Sequence, residues 1–130
     1  MSDLERIHTD DAPAAIGPYS QGVRAGGFCF FSGQIPLDPA SGELVSGGIV
    51  EQTEQVLRNI AALLDEAGLG PESVVKTTIY LTDLGDFALV NEIYGRFFGE
   101  SKPARATVEV AGLPRGAEIE IEWICSSTWI

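Results

Sequence analysis

Residues 102–124 read KPARATVEVAGLPRGAEIEIEWI, two runs of alternating polar and apolar residues on either side of a GLPRG turn. If both runs are β-strands, successive side chains point to opposite faces of the sheet. The polar positions of the first run are Arg105, Thr107 and Glu109, and those of the second are Glu118, Glu120 and Glu122, backed by Ile119, Ile121 and Trp123. The pattern predicts two facing strands whose arginine and glutamates lie together, away from the apolar stripe.

The segments before this stretch predict the rest of an α+β fold. FCFFS at 28–32 is a short apolar strand, and VVKTTIYL at 74–81 is rich in the β-branched residues that favour strands. Between them, apolar residues recur at helical spacing from Ile49 up to Gly68, which is placed as a C-terminal cap. Asp83 or Asp86 can cap a second helix, whose apolar face consists of Phe87, Val90, Ile93, Tyr94, Phe97 and Phe98.

This order of elements predicts one sheet with both helices on one face. The opposite face would carry Arg105, Thr107 and the three glutamates, with Lys76 or Tyr80 from the middle strand. A sheet face that carries so many charged and polar side chains is too polar to form the core of a monomer. We therefore expect it to contact solvent, a ligand or another subunit.

Length and charge narrow the functional classes. The 130 residues are enough for a single domain, residues 1–130, with its own core. Eight basic against 19 acidic residues give a net charge of −11 without a basic cluster, so we expect no nucleic-acid or membrane partner. The polar start MSDLERIHTDD is unlike a secretory signal, which predicts a cytoplasmic protein.

Metal and cofactor chemistry have little support in the sequence. His8 is the only histidine, which excludes a multi-histidine metal site, and no phosphate loop or dinucleotide fingerprint is present. Cys29 and Cys125 are expected to be reduced and buried, although the sequence does not exclude a disulfide between them. We predict no cofactor and no metal.

Four stretches, in this order, resemble the RidA/YjgF family of imine and enamine deaminases: AAIGPYSQ (14–21), SGQIPLDPASGEL (32–44), VVKTTIYLTDLGDFALVNEIY (74–94) and PARATVEVAGLPRGAEIEIE (103–122). The resemblance implies a chorismate-mutase-like fold, a variant of the ferredoxin-like sheet, in a barrel-like homotrimer with ligand sites between subunits. It also implies cofactor-independent hydrolysis of 2-imino or 2-enamino acids, such as 2-aminoacrylate and 2-iminopropanoate, to 2-keto acids and ammonia.

Position by position, the resemblance implies that Arg105 holds the substrate carboxylate and that Glu120 handles water and protons. It implies that Tyr19, Ser32 and Asn91 line the cleft, and we add Gly33 and Thr107 as substrate-binding positions. Thr107 stands where several members have a cysteine, so no thiol chemistry is expected there. Trp123 stands where a small residue is common, and its effect on the pocket is left open.

The chemistry suits these residue types. A guanidinium grips a carboxylate through two parallel hydrogen bonds, and a 2-imino acid carries its carboxylate next to the reacting carbon. A partly desolvated glutamate has a raised pKa and can act as general base and then general acid.

Each residue also has a structural alternative. Arg105 could pair with a cross-strand glutamate, Glu120 could lie on a solvated face, and Asn91 could be a helix-surface amide. Tyr19 could be an ordinary packed loop residue, and Ser32 with Gly33 an ordinary turn. At the level of function, the alternative is a non-catalytic trimeric binding module for small keto acids or related metabolites; a nuclease or translation inhibitor is disfavoured by the charge.

Overall fold

The computed structural model describes residues 4–127, which form one six-stranded sheet and two α-helices. The elements along the chain are β1 Glu5–Ile7, β2 Gly22–Ala25, β3 Phe28–Gln34, α1 Ile49–Glu66, β4 Val74–Leu81, α2 Phe87–Phe98, β5 Ala104–Glu109 and β6 Ile119–Ser126. The strand order across the sheet is β1-β2-β3-β6-β4-β5, and β5 runs parallel to β4. The predicted α+β fold class is confirmed, and the sequence did not predict β1 and β2.

The two strands of the opening stretch are not neighbours, which corrects the expectation of facing strands. β4 lies between β5 and β6 and pairs with both. The reason is the connection through α2: a strand, a helix and a strand in succession favour a parallel pair of adjacent strands. The segment 110–118, including a short 3₁₀ turn at Pro114–Gly116, then carries the chain across to the far side of β4.

One face of the sheet packs against both helices and forms the core. Thr77, Ile79 and Leu81 of β4 are fully buried there, each paired with a buried residue of β6. The helices contribute apolar stripes, and Gly68, in the left-handed region at φ 73°, ends α1 as predicted. At the start of α2, Asp83 accepts a hydrogen bond from Gly85 N at 2.8 Å and caps the 3₁₀ turn that precedes the helix, whereas the Asp86 side chain makes no capping bond.

The face assignment of β5 is the opposite of the one predicted. Residues paired across neighbouring strands share a face, and Arg105 pairs with Thr77 while Thr107 pairs with Ile79. Both therefore lie on the helix side of the sheet, and the apolar Val108 lies on the open side, 42% exposed. β5 is an edge strand, so neither of its faces is fully covered and alternation alone could not tell them apart.

The open face carries the rest of the predicted polar set. Tyr80 pairs with Glu120, Thr78 with Glu122, and Lys76 with Ile124. Glu118 departs from the predicted row of three glutamates, because it precedes β6 and its side chain accepts a hydrogen bond from Gln52 Nε2 of α1 at 3.1 Å. Within the described residues, neither helix is long and apolar enough to cross a membrane.

Candidate functional site

The Arg105 guanidinium rests on two aromatic rings of α2. Its central carbon lies 5.3 Å from the centroid of the Phe87 ring and 5.0 Å from that of Tyr94. Its Nη1 donates a hydrogen bond to Asn91 Oδ1 at 2.7 Å. Cation–π contacts and this bond fix the position of the charge, although the side chain as a whole is exposed.

Arg105 has no acidic partner in the part of the chain that the structure describes. No carboxylate of residues 4–127 lies within ion-pair distance of its guanidinium. The alternative of a cross-strand Arg–Glu pair is therefore wrong, since the residue opposite Arg105 is Thr77. Within the described segment, the bond to Asn91 is the one hydrogen bond of the guanidinium, so its other N–H groups are available to a ligand.

The Tyr94 ring, which supports the Arg105 guanidinium, is itself fixed by a hydrogen bond. Its hydroxyl and Thr77 Oγ1 are 2.7 Å apart in a buried hydrogen bond. Burial raises the pKa of Tyr94, and the hydrogen bond to Thr77 and the charge of Arg105 offset part of that rise. The ring is thus a neutral, fixed support. Sequence analysis placed Phe87 and Tyr94 in the core and missed this role; the signal was their spacing of seven residues on one face of α2.

Thr107 adds a free polar atom on the same side of β5. Its Oγ1 is buried and has no hydrogen-bond partner among the described residues. A buried hydroxyl without a partner costs free energy, so its presence two residues from Arg105 is consistent with a bond to a ligand. We call Arg105, Asn91, Tyr94 and Thr107 the arginine half-site; the first three border an open cavity of about 510 Å³.

Glu120 lies over Gly33, on the face of the sheet opposite to that of Arg105. A Cβ atom at Gly33 would stand 2.9 Å from Glu120 Cδ, closer than packed atoms tolerate, so glycine leaves the space for the carboxylate. Gly33 and Ser32 together oppose one residue of β6, Glu122, in a β-bulge between the pairs Phe31–Trp123 and Gln34–Ile121. The bulge brings the glycine backbone against the acid.

The half-buried Glu120 is electrostatically suited to proton transfer. Desolvation by burial, followed by the nearby negative charge of Glu122, raises the pKa of Glu120 above its ordinary value. Burial also raises the pKa of Tyr80, which is paired with Glu120 across the strands, and the nearby Glu122 raises that pKa further. A carboxyl group of this kind exchanges protons closer to neutral pH.

Ser32 and the loop that carries Tyr19 adjoin Gly33. Ser32 Oγ donates to Ser20 O at 2.6 Å and Ser32 N donates to Gln21 O at 2.9 Å, which ties β3 to the loop that carries Tyr19. Tyr19 is 53% exposed, so it is not the packed loop residue of the alternative reading. We call Glu120, Gly33, Ser32 and Tyr19 the glutamate half-site; Tyr19 and Gly33 border a cavity of about 260 Å³.

The buried Gln21 shapes this loop, and sequence analysis missed it. Its Oε1 accepts from Thr9 N at 2.8 Å, and its Nε2 donates to Pro13 O at 2.8 Å. The side chain therefore replaces backbone partners that the irregular segment lacks. The only sequence signal was a glutamine next to a glycine at the start of a strand.

The two half-sites lie on opposite faces of one sheet. Arg105 is on the helix side of β5, and Glu120 is on the open side of β6, with β4 between them. The structure thus groups Arg105, Asn91 and Thr107 on one side of β5. It places Glu120 against Gly33, with Ser32 next to Gly33 in the bulge and Tyr19 bordering the same cavity as Gly33. It does not bring the two groups to one ligand within a single chain.

The sequence and the fold match known proteins over nearly their whole length. The model of the family described as endoribonuclease L-PSP matches residues 9–126. A RutC family protein of Pyrococcus horikoshii is 56% identical over 92% of this chain and 95% of its own. The solved structure of RidA from the Antarctic bacterium Psychrobacter sp. superposes with a TM-score of 0.90 at 47% identity, covering 94% of this chain and 98% of that one. The chain belongs to the RidA family.

Within the RidA family, relatives carry several names. The mouse 2-iminobutanoate/2-iminopropanoate deaminase is 53% identical over 95% of this chain and 93% of its own. The name of this relative describes an enzyme acting on small imino acids, whereas the description of the family model names a nuclease.

Two other sequence predictions can be compared with the structure. Cys29 and Cys125 are both free and buried, as predicted, and burial raises the pKa of Cys125 to about 12. Trp123 is buried and its ring stacks on Phe31 with centroids 4.6 Å apart, so within one chain it fills the core. Among residues 4–127, no group of three or more His, Cys, Asp or Glu side chains is arranged to hold a metal ion.

Proposed function

We propose that the protein hydrolyses reactive 2-imino and 2-enamino acids to 2-keto acids and ammonia, in clefts between the chains of a homotrimer. One observation carries the proposal: the Arg105 guanidinium, which rests on aromatic rings and has no acidic partner among residues 4–127, is separated by the sheet from the desolvated Glu120. A second copy that presents its Glu120 to Arg105 would complete the site. The activity named for the 53% identical mouse relative supports the choice of substrate.

Arg105 binds the substrate carboxylate. Asn91 occupies one Nη1 proton, and the guanidinium retains further N–H groups for a two-point grip on a carboxylate. Because that carboxylate is attached to the imine carbon, the grip places the reacting atom at a fixed distance from Arg105. The Thr107 hydroxyl, which has no partner among residues 4–127, supplies an additional hydrogen bond to the same end of the substrate.

Glu120 moves the protons. Its carboxylate accepts a proton from a water molecule as the water oxygen bonds to the imine carbon and the C=N π electrons move to nitrogen. From a protonated imine this gives a neutral carbinolamine, which receives that proton on nitrogen. The ionised Glu120 then accepts the hydroxyl proton as the C–N bond breaks, so the hydroxyl oxygen becomes the keto oxygen and ammonia leaves with the electron pair of the C–N bond. Glu120 passes its proton to the ammonia, which departs as ammonium, and is ionised again for the next turnover. A raised pKa suits Glu120 to both directions of transfer. An enamine substrate first takes a proton at carbon, from the same acid, to become the imine.

A coupled assay tests the proposal. An amino-acid oxidase generates 2-iminopropanoate from alanine, semicarbazide traps it, and an active deaminase suppresses the trapping. We expect Arg105→Ala to lower the rate by about 100-fold, because a two-point charged hydrogen bond contributes about 3 kcal/mol. Arg96→Ala is the matched control, since Arg96 is an exposed residue of α2 paired with Glu92 at 3.8 Å.

The same assay separates the alternative function. If the intact chain leaves trapping unchanged but binds 2-keto acids saturably, and Arg105→Ala abolishes that binding, the protein is a binding module and the proposed reaction is wrong. If Arg105→Ala suppresses trapping as well as the intact chain does, the role of the arginine is wrong. Binding to RNA would revive the nuclease reading, which the net charge of −11 opposes.

A further inference from the structure

A small cavity shares one residue, Gly33, with the glutamate half-site. It has a volume of about 260 Å³ and is enclosed by the loop around Tyr19, the segment from Gly33 to Leu37, and Pro114 with Arg115. Gly33 belongs both to the wall of this cavity and to the surface under the Glu120 carboxyl group. A substrate held at the Glu120 carboxyl group would therefore lie next to this cavity, across Gly33.

Arg115 is the one charged side chain among the residues that line this cavity in the described part of the chain. Its backbone is in the left-handed region, at φ 63° and ψ 15°, and Gly116 follows at φ 75°. This conformation costs an arginine about 1 kcal/mol relative to its usual regions. It persists here at the position that turns the side chain into the cavity wall.

The guanidinium of Arg115 is held in place but not neutralised. Its Nη2 donates to Gly42 O at 3.2 Å, and Glu43 Oε1 lies 3.9 Å away, at the outer limit of an ion pair. The side chain is 43% exposed, so it keeps donors for a further acceptor. A carbonyl anchor and a distant carboxylate fix where the charge is and leave it available.

We infer that Arg115 selects substrates by side-chain charge, favouring imino acids whose side chain ends in a carboxylate. This inference rests on the proposed function. With the substrate carboxylate on Arg105 and the reacting carbon at Glu120, the side chain enters the cavity at Gly33. A sphere of the cavity's volume is about 8 Å across, enough for two methylene groups and a carboxylate but not for a large ligand. The protein's net charge of −11 repels such a dianion, so a local cation is required to bind it.

The test compares two imino acids of similar length. Glutamate oxidase supplies 2-iminoglutarate, an L-amino-acid oxidase supplies 2-iminopentanoate from norvaline, and the measured quantity is the ratio of kcat/KM for the two. We expect Arg115→Gln to lower this ratio, anionic over neutral, by about fivefold, the effect of one partly exposed ion pair. Arg115→Lys should retain most of the ratio because it keeps the charge. Arg96→Gln, which changes the net charge equally away from the cavity, should leave the ratio unchanged.

The outcomes distinguish the inference from the function on which it rests. If both imino acids are turned over and the ratio in Arg115→Gln equals that of the intact chain, the inference is wrong and the proposed function stands. An equal fall of the ratio in Arg96→Gln also overturns it, because the effect then comes from the overall charge. If the intact chain accelerates neither reaction, the proposed function fails and the inference fails with it.

Discussion

Mixed assemblies of two inactive variants provide the sharpest test of a site shared between chains. In the proposed mechanism, Arg105→Ala removes the group that binds the substrate carboxylate and Glu120→Gln removes the proton carrier, so each variant alone should lose nearly all of the activity. Arg105 and Glu120 are on opposite faces of the sheet in one chain, so the proposed site takes its two residues from different chains. Co-assembly of the two variants can then restore intact sites, with Arg105 from the Glu120→Gln chain and Glu120 from the Arg105→Ala chain.

The expected recovery follows from counting. In trimers formed at random from equal amounts, the chain that supplies Arg105 must be the Glu120→Gln variant, and the chain that supplies Glu120 must be the Arg105→Ala variant. Each condition holds for half of the chains, so about one quarter of the sites are intact and about one quarter of the original activity should return. No other restoration is expected, because each remaining site lacks at least one of the two groups.

The assay is the suppression of semicarbazide trapping by co-expressed, doubly tagged and purified assemblies. The control is co-expression of Arg105→Ala with the double variant Arg105→Ala/Glu120→Gln, in which no chain has Arg105 and no activity should return. Light scattering should give a mass of about three times 13.9 kDa for every sample. Activity of the mixed assembly that does not exceed that of the single variants would refute the reasoning from the two faces of the sheet.

Three further predictions concern individual residues. Gly33→Ala should place a methyl group against the Glu120 carboxyl group, lower the free energy of unfolding by about 1–3 kcal/mol and abolish deamination. The double variant Gly33→Ala/Glu120→Ala should recover the stability, and unchanged thermal unfolding and activity in Gly33→Ala would contradict this close contact. Thr107→Val should unfold at an equal or higher temperature, because it removes an unpartnered hydroxyl, yet raise KM several-fold; an unaltered KM would show that the hydroxyl does not contact substrate. For pH, kcat/KM should rise with pH along an acid limb that lies above 4.5, the ordinary pKa of a glutamate, because the base is the ionised form of Glu120; an acid limb at or below pH 4.5 would contradict this role.

The long elements could be predicted from the sequence, and the short ones could not. Helical spacing over 18 residues identified α1, and the β-branched run identified β4. β1 and β2 have three and four residues, with the sequences ERI and GVRA, too short to show a period and partly charged. Their pairing with β3 depends on long-range contacts that local composition does not encode.

The candidate site residues were named from the family resemblance, and their roles stay predictions, whereas the way they group in the fold could not be predicted from the sequence. Alternation shows that Arg105 and Val108 are on different faces, yet not which face meets the helices. That choice was decided by the parallel pairing of β5 with β4, which follows from the helix between them. For the same reason the sequence placed Arg105 and Glu120 together, although β4 separates their strands and the sheet separates their side chains.

The continuity of the segment from Val74 to Glu109 has a consequence for how this family diversifies. β4, α2 and β5 form one consecutive unit, and Arg105, Asn91, Tyr94 and Thr77 are all within it. The glutamate half-site instead draws on residues about a hundred positions apart. In the proposed mechanism, one recombination event that exchanges residues 74–109 would therefore transfer all the residues around Arg105 that bind the substrate carboxylate, whereas replacing the group around Glu120 would require changes in distant parts of the chain.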